Sequence, residues 1–106
     1  MIHEMRIYQM TMLGKEEVLQ IFRDTMVNLM PRHEFKLVGS WVTAIGPHAS
    51  VDFIWLLEWQ DMGQRERAAK SILADQEFIS AAEKLRPHIV DMTVRILNPT
   101  DFSPMK

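Results

Sequence analysis

The stretch from Val51 to Trp59 constrains the fold more than any other. Its alternating side chains form two sets, Ile54 and Leu56 against Val51, Phe53, Trp55 and Leu57, and both sets are apolar. Successive side chains of a strand point to opposite faces, so a strand apolar on both has to be covered on both. One layer of helices covers only one face. The second cover has to come from elsewhere.

The first strand, from about Ile2 to Thr11, poses the matching question. Met5 and Ile7 share one face; Glu4, Arg6 and Tyr8 share the other. A carboxylate, a guanidinium and a phenol thus stand in a row on a strand expected to be central. Met12-Leu13-Gly14 closes this strand, and Lys15 to Met30 follows with helical spacing at Val18, Ile21/Phe22, Met26 and Leu29/Met30. Pro31 ends or kinks that helix. Phe35 to Ile45 reads as the second strand, with Val38, Ser40, Val42 and Ala44 on one face and Leu37, Gly39, Trp41, Thr43 and Ile45 on the other. Gly46 to Ser50 turns it into the third strand as a hairpin.

Asp61 is the expected N-cap of a second helix, with Gln64 three residues on. Asp75 is expected to cap a further helical segment, with an inward stripe of Phe78, Ala82 and Leu85, which Pro87 ends. Ile89 to Leu97 is the fourth strand, with Val90, Met92, Val94 and Ile96 opposite Thr93, Arg95 and Leu97; a proline-containing tail follows. The order strand, helix, strand, strand, helix, strand is the ferredoxin-like βαββαβ pattern of an α+β domain spanning residues 1–106, with an antiparallel four-stranded sheet.

The branched and small sets, Met5/Ile7, Val38/Val42, Ile54/Leu56 and Met92/Val94/Ile96, are assigned to the helix side. The opposite face then collects Glu4, Arg6, Tyr8, Trp41, Thr43, Phe53, Trp55, Thr93 and Arg95. Two tryptophans and a phenylalanine on an open sheet invite association. A homodimer packed face to face is therefore expected, its enclosed charges paired, Glu4 with Arg6 or Arg95.

Composition narrows the function classes. The formal net charge of -2 offers no bulk attraction for nucleic acid or an anionic membrane. The absence of cysteine excludes disulfides, thiolate metal sites and cysteine nucleophiles, and is compatible with the cytoplasmic location expected here. No apolar run approaches the ~20 residues of a membrane span. The nine methionines read as adaptable core filler.

The motifs Met1-Ile2-His3-Glu4-Met5-Arg6-Ile7-Tyr8, Arg32-His33-Glu34-Phe35-Lys36-Leu37-Val38-Gly39 and Glu66-Arg67-Ala68-Ala69 resemble those of NIPSNAP-family domains, as do Trp41, Ile45-Gly46, Trp55 and the closing Ile96 to Pro104. The resemblance covers nearly the whole chain. It implies a dimeric α+β barrel, two ferredoxin-like protomers sharing a barrel with helices outside. It also implies a superfamily that includes small monooxygenases, haem-degrading enzymes and many members without a defined reaction, and a NIPSNAP branch with no well-defined chemistry of its own. Architecture follows from such a resemblance better than activity does. Three positions depart from the family pattern. Glu34 stands where glycine is common, and Phe53 and Leu57 stand where a histidine and a tyrosine often flank the third-strand tryptophan.

The candidate chemistry is a small-molecule site. Arg6 and Arg95 can hold an anion or polar group, Tyr8 can donate to it, and Glu4 is a candidate base; the same residues can equally be an ion-pair network that fixes the dimer. Trp41 and Trp55 can line an apolar pocket or build the barrel core. His33 follows the first helix and is a further candidate catalytic residue, and Arg67 a further candidate ligand-binding residue because it falls on the family motif. His3 is assigned to the helix side. His3, His33, His48 and His88 lack the spacing of a helical metal pair, so no metal and no cofactor is predicted. Two functions stand against each other: binding of a planar or apolar molecule, extending to cofactor-independent, monooxygenase-like chemistry, or a non-catalytic dimeric scaffold.

Overall fold

The computed structural model describes residues 1–106. Strand β1 (Ile2–Met10) leads into helix α1 (Lys15–Ile21), which continues through a π-helical stretch (Phe22–Met26) into the short α2 (Val27–Leu29) and a 3-10 turn (Met30–His33). Strands β2 (Lys36–Val42) and β3 (Asp52–Trp59) follow. Then come α3 (Met62–Leu73), α4 (Gln76–Leu85), a second 3-10 turn (Arg86–His88) and β4 (Ile89–Leu97). The strands pair antiparallel in the order β2-β3-β1-β4. This is the ferredoxin-like α+β arrangement, with the helices on one side of the sheet.

Local chemistry explains the boundaries. The Asp61 side chain accepts from the Gln64 amide at 2.8 Å, and the Gln64 side chain accepts in return from the Gln60 amide at 2.7 Å. Asp75 caps α4 by accepting from the Glu77 amide at 2.9 Å. Such caps satisfy amides that have no partner inside the helix. Pro31 and Pro87 both fall in the 3-10 turns that follow their helices. Glu34 then reverses the chain at φ 62°, in the left-handed region that glycine favours. The departure from the family's glycine therefore falls on the one residue that makes this turn.

The face assignment requires a correction. Arg6 is opposite Trp55 and Val94, and Tyr8 opposite Phe53 and Met92, so all of these share one face. That face lies under the helices. Phe22, from the π-helical stretch, packs edge-on against Tyr8, Phe53 and Trp55 with centroids 4.8–6.1 Å apart. The flanking strands are oriented as expected, Val42 and Met92/Val94/Ile96 toward the helices, except that the bulge between Leu37 and Gly39 turns Leu37 to the helix side instead of the open face; the central pair, β1 and β3, is inverted. Met5, Ile7, Ile54 and Leu56 therefore lie on the open face with Trp41, Thr93 and Arg95. The physical reason is volume and satisfaction. The aromatic set fills the deep space beneath α1, and the charged groups on that face find partners there. His3 moves with its strand. It is on the open face, 3.4 Å from the Glu58 carboxylate without an aligned hydrogen bond, and not on the helix side. No helix is long and apolar enough to cross a membrane.

Candidate functional site

Glu4 is completely buried, and every direction around its carboxylate is occupied by donors. Arg6 Nε donates to Oε2 at 2.7 Å, Arg65 Nε to Oε1 at 2.6 Å, and Trp59 Nε1 to Oε1 at 2.9 Å; a longer bond of 3.4 Å runs from the Arg65 terminal nitrogen. Burial by itself pushes this carboxyl's pKa up. The Arg65 hydrogen bond, the charge and hydrogen bond of Arg6, and the Trp59 N–H outweigh it and hold the pKa below the ordinary value. Glu4 is thus a fixed anion. β1, β3 and α3 each contribute to holding it.

Beside this network lies a cavity of about 550 Å³ between the sheet and the helices. Fifteen of its 18 lining residues are hydrophobic, so its interior suits an apolar guest. Phe22 and Met26 of the π-helical stretch, Ile72 of α3, Phe78 of α4 and Met92 of β4 supply much of the wall. Arg6, Tyr8 and Trp55 supply a polar corner. The Arg6 guanidinium carbon sits 5.3 Å from the centre of the Trp55 ring, in cation–π range. Its terminal nitrogen is 3.5 Å from the Tyr8 hydroxyl. Arg86 and Asp91, both exposed, border the same cavity at its rim.

The candidate residues read from the sequence divide accordingly. Arg6, Tyr8 and Trp55 line this cavity together. Glu4 lies directly behind Arg6 but is not part of the wall. Trp41 and Arg95 are on the other side of the sheet, so they cannot join Arg6; Trp41 is 54 % exposed and folds its ring over Gly39. Arg67 is exposed on α3 and also outside the cavity. Glu4 pairs with Arg65 rather than Arg95. Arg65, at the first turn of α3, points back to β1. The aromatic wall residues Phe22 and Phe78 were visible only as core positions. A usable signal was that Met10 and Trp59 share alternation with Tyr8 and Trp55, which makes that set the bulkier one.

His33 lies apart from the cavity wall. Its Nδ1 is 2.6 Å from Ser71 Oγ and its Nε2 2.7 Å from Asp75 Oδ2. The His33 hydrogen bond leads in holding Asp75 below the usual carboxylate pKa, joined by the Glu77 amide and the charges of His33 and Arg32, against partial burial. The residue types are those of a nucleophilic triad. Ser71 sits inside α3, however, where the amides turn to their own carbonyls, so no pair of free N–H groups stands beside it to hold an oxyanion. The arrangement clamps the 3-10 turn after α2 to the α3–α4 junction.

Comparison with known proteins agrees with this fold. The NIPSNAP family model matches residues 3–104. A NIPSNAP family protein from Agrobacterium tumefaciens superposes with a TM-score of 0.91 at 30% identity, covering 99% of this chain and 98% of that one. An uncharacterized NIPSNAP-like domain protein from Burkholderia xenovorans gives 0.86 at 30% identity, over 97% and 88%. A protein described as an antibiotic biosynthesis monooxygenase gives 0.68 at 15% identity, over 94% and 99%, a likeness of fold alone. No functionally curated protein matches.

Proposed function

The chain belongs to the NIPSNAP family, and we propose that it acts as a homodimer that binds a small, largely apolar or planar molecule in the cavity between its sheet and its helices. The observation that carries this is the cavity itself. It is of ligand size, about 550 Å³, overwhelmingly apolar, and has one polar corner formed by Arg6, Tyr8 and Trp55. A π-helical stretch, a feature frequent at functional sites, forms part of its wall through Phe22 and Met26. In this reading Glu4 and Arg65 position Arg6, and Arg6, Tyr8 and Trp55 meet the ligand.

The test is a thermal-shift screen of small aromatic and aliphatic compounds against the wild-type chain and Ala82→Phe, whose new ring would occupy the cavity. Binders should raise the midpoint of the wild type and not of the variant. If no compound shifts either protein, the scaffold reading replaces this one. The likeness in fold to a monooxygenase makes cofactor-free oxygen uptake the turnover to measure on any compound that binds.

A second observation supports the dimer. Met5, Ile7, Ile54, Leu56 and the exposed Trp41 form an apolar surface on the open face, too contiguous for a monomer's exterior. Packing two such faces together meets the requirement that β3 be covered on both sides.

A further inference from the structure

The polar corner of the cavity is rich in donors, and its acceptor, the Tyr8 oxygen, already takes a contact from Arg6. Arg6 carries five N–H groups, of which Nε serves Glu4 and one terminal nitrogen makes only the long 3.5 Å contact to Tyr8. Tyr8 accepts that contact, and its own proton has no acceptor. Trp55, 5 % exposed, keeps its Nε1–H without any partner. Buried donors left unpaired are unfavourable, so a guest that supplies acceptors to the free edge of Arg6 and the Tyr8 hydroxyl gains from both. The charge balance points the same way. Glu4 contributes one negative charge against the positive charges of Arg6 and Arg65, which leaves the network with one uncompensated cation. The Arg86 and Asp91 charges at the rim cancel each other.

Resting on the binding function proposed above, we infer that the cavity's guest is an amphipathic acid, its apolar body among Phe22, Phe78 and Met92 and its carboxylate against Arg6 and Tyr8. A carboxylate offers acceptor lone pairs in several directions and matches the planar edge of a guanidinium. Glu4 fixes the Nε edge of Arg6, so the terminal edge is already oriented when the ligand arrives.

The experiment is calorimetric titration at neutral pH with two matched series: 2-naphthoate, 2-naphthamide and 2-naphthylmethylamine, and decanoate, decanamide and decylamine. In the series that fits, the acid should bind roughly tenfold or more tighter than the amide, and the amine weakest, as expected for a charge-assisted hydrogen bond. Arg6→Met should abolish the preference by lowering acid affinity about tenfold more than amide affinity. Arg6→Lys keeps the charge and a bond to Glu4 but loses the planar fork, so it should weaken acid binding several-fold; it serves if Arg6→Met does not fold. Equal affinity for acid and amide would overturn this inference and leave the cavity reading standing. An acid preference that survives in Arg6→Met or is unchanged in Arg6→Lys would also overturn it. Absence of binding by every member of both series would overturn the cavity reading itself.

Discussion

The two faces of the sheet carry charge and apolar surface in opposite ways. Under the helices, Glu4 is fully buried, with Arg6 and Arg65 on its oxygens and the indole of Trp59 beside them. On the open face, Met5, Ile7, Ile54 and Leu56 have no helix above them and Trp41 is more than half exposed. On the central strands, the Glu4–Arg6 pair points in and Met5, Ile7, Ile54 and Leu56 point out. The covered face can contain ions because three elements converge on one carboxylate and satisfy it. The open face has no helix layer of its own, and a cover is what the proposed dimer would supply. Side-chain polarity alone therefore does not decide which face of a central strand is the interior; the available partners do.

The largest effect should come from breaking the covered face. Glu4→Ala leaves two guanidinium groups and an indole N–H without their acceptor. The penalty for breaking a buried pair in this way is about 3–5 kcal/mol; the lower end applies here, since both arginine side chains retain a quarter or so of their exposure and can hydrate. Urea unfolding measures it. The Glu4 pKa is depressed in the folded state, so its contribution is complete above the unfolded value of about 4.3 and is lost as pH falls through the lower folded value. Glu4→Gln should flatten the acid limb of stability below about pH 4.3 relative to the wild type. Glu58→Gln, on the opposite face beside Lys36 and His3, should move the unfolding midpoint far less. If the two substitutions cost the same, the contrast between the faces fails.

The open face is tested by placing a charge on it. Ile54→Lys should leave the fold of the protomer intact and weaken self-association by at least about 100-fold, roughly 3 kcal/mol, because the new ammonium would be enclosed without a partner. Sedimentation velocity over a concentration series reads this. A wild-type chain that remains monomeric at micromolar concentration would remove the dimer from the argument. Ligand shifts that persist in the Ile54→Lys monomer would place the cavity's function within one protomer.

Much of this molecule could be read from residue pattern. The βαββαβ order, both aspartate caps, the full span of β4 and the grouping of side chains into two sets on β1, β3 and β4 all follow from period, turn residues and caps. Which group faced the helices did not. Alternation assigns side chains to two sets but is silent on which set is inside, and β3 is apolar in both. Deciding between them required knowing that Arg65, sixty-one residues away, returns to Glu4, a contact that strand periodicity cannot contain. The cavity was legible only in part. Arg6, Tyr8 and a tryptophan are expected together, but Trp41 and Arg95 join that group only because the bulky and polar sets of all four strands are assigned to one face. The bulge between Leu37 and Gly39, which shifts the phase of β2, also has no clear signature in the sequence.

The start of α3 links the covered face to its cap. Asp61 fixes the first turn of the helix that carries Arg65 to Glu4. Asp61→Ala should cost about 1 kcal/mol, the usual worth of an N-cap. If Arg65 depends on that turn, Asp61→Ala and Glu4→Gln should be non-additive in a double-mutant cycle. Additive losses would mean that α3 holds Arg65 in place without its cap.

The smallest expected effect belongs to a residue on neither face. Glu34 is exposed and makes the left-handed turn between the helical layer and β2. A side chain with a Cβ pays about 1–2 kcal/mol there. Glycine avoids that strain but loses about 0.5–1 kcal/mol more backbone entropy on folding. The difference leaves Glu34→Gly more stable by about 0.5 kcal/mol, a rise of roughly 2–4 °C in the thermal midpoint for a domain of this size. Glu34→Ala removes the same carboxylate and keeps the Cβ, so it should show no such gain. An equal gain in both variants would assign the effect to charge rather than to backbone. Because the turn touches neither the Glu4 network nor the open apolar surface, Glu34→Gly should leave ligand shifts and self-association unchanged, which makes it the control for every substitution on the two faces.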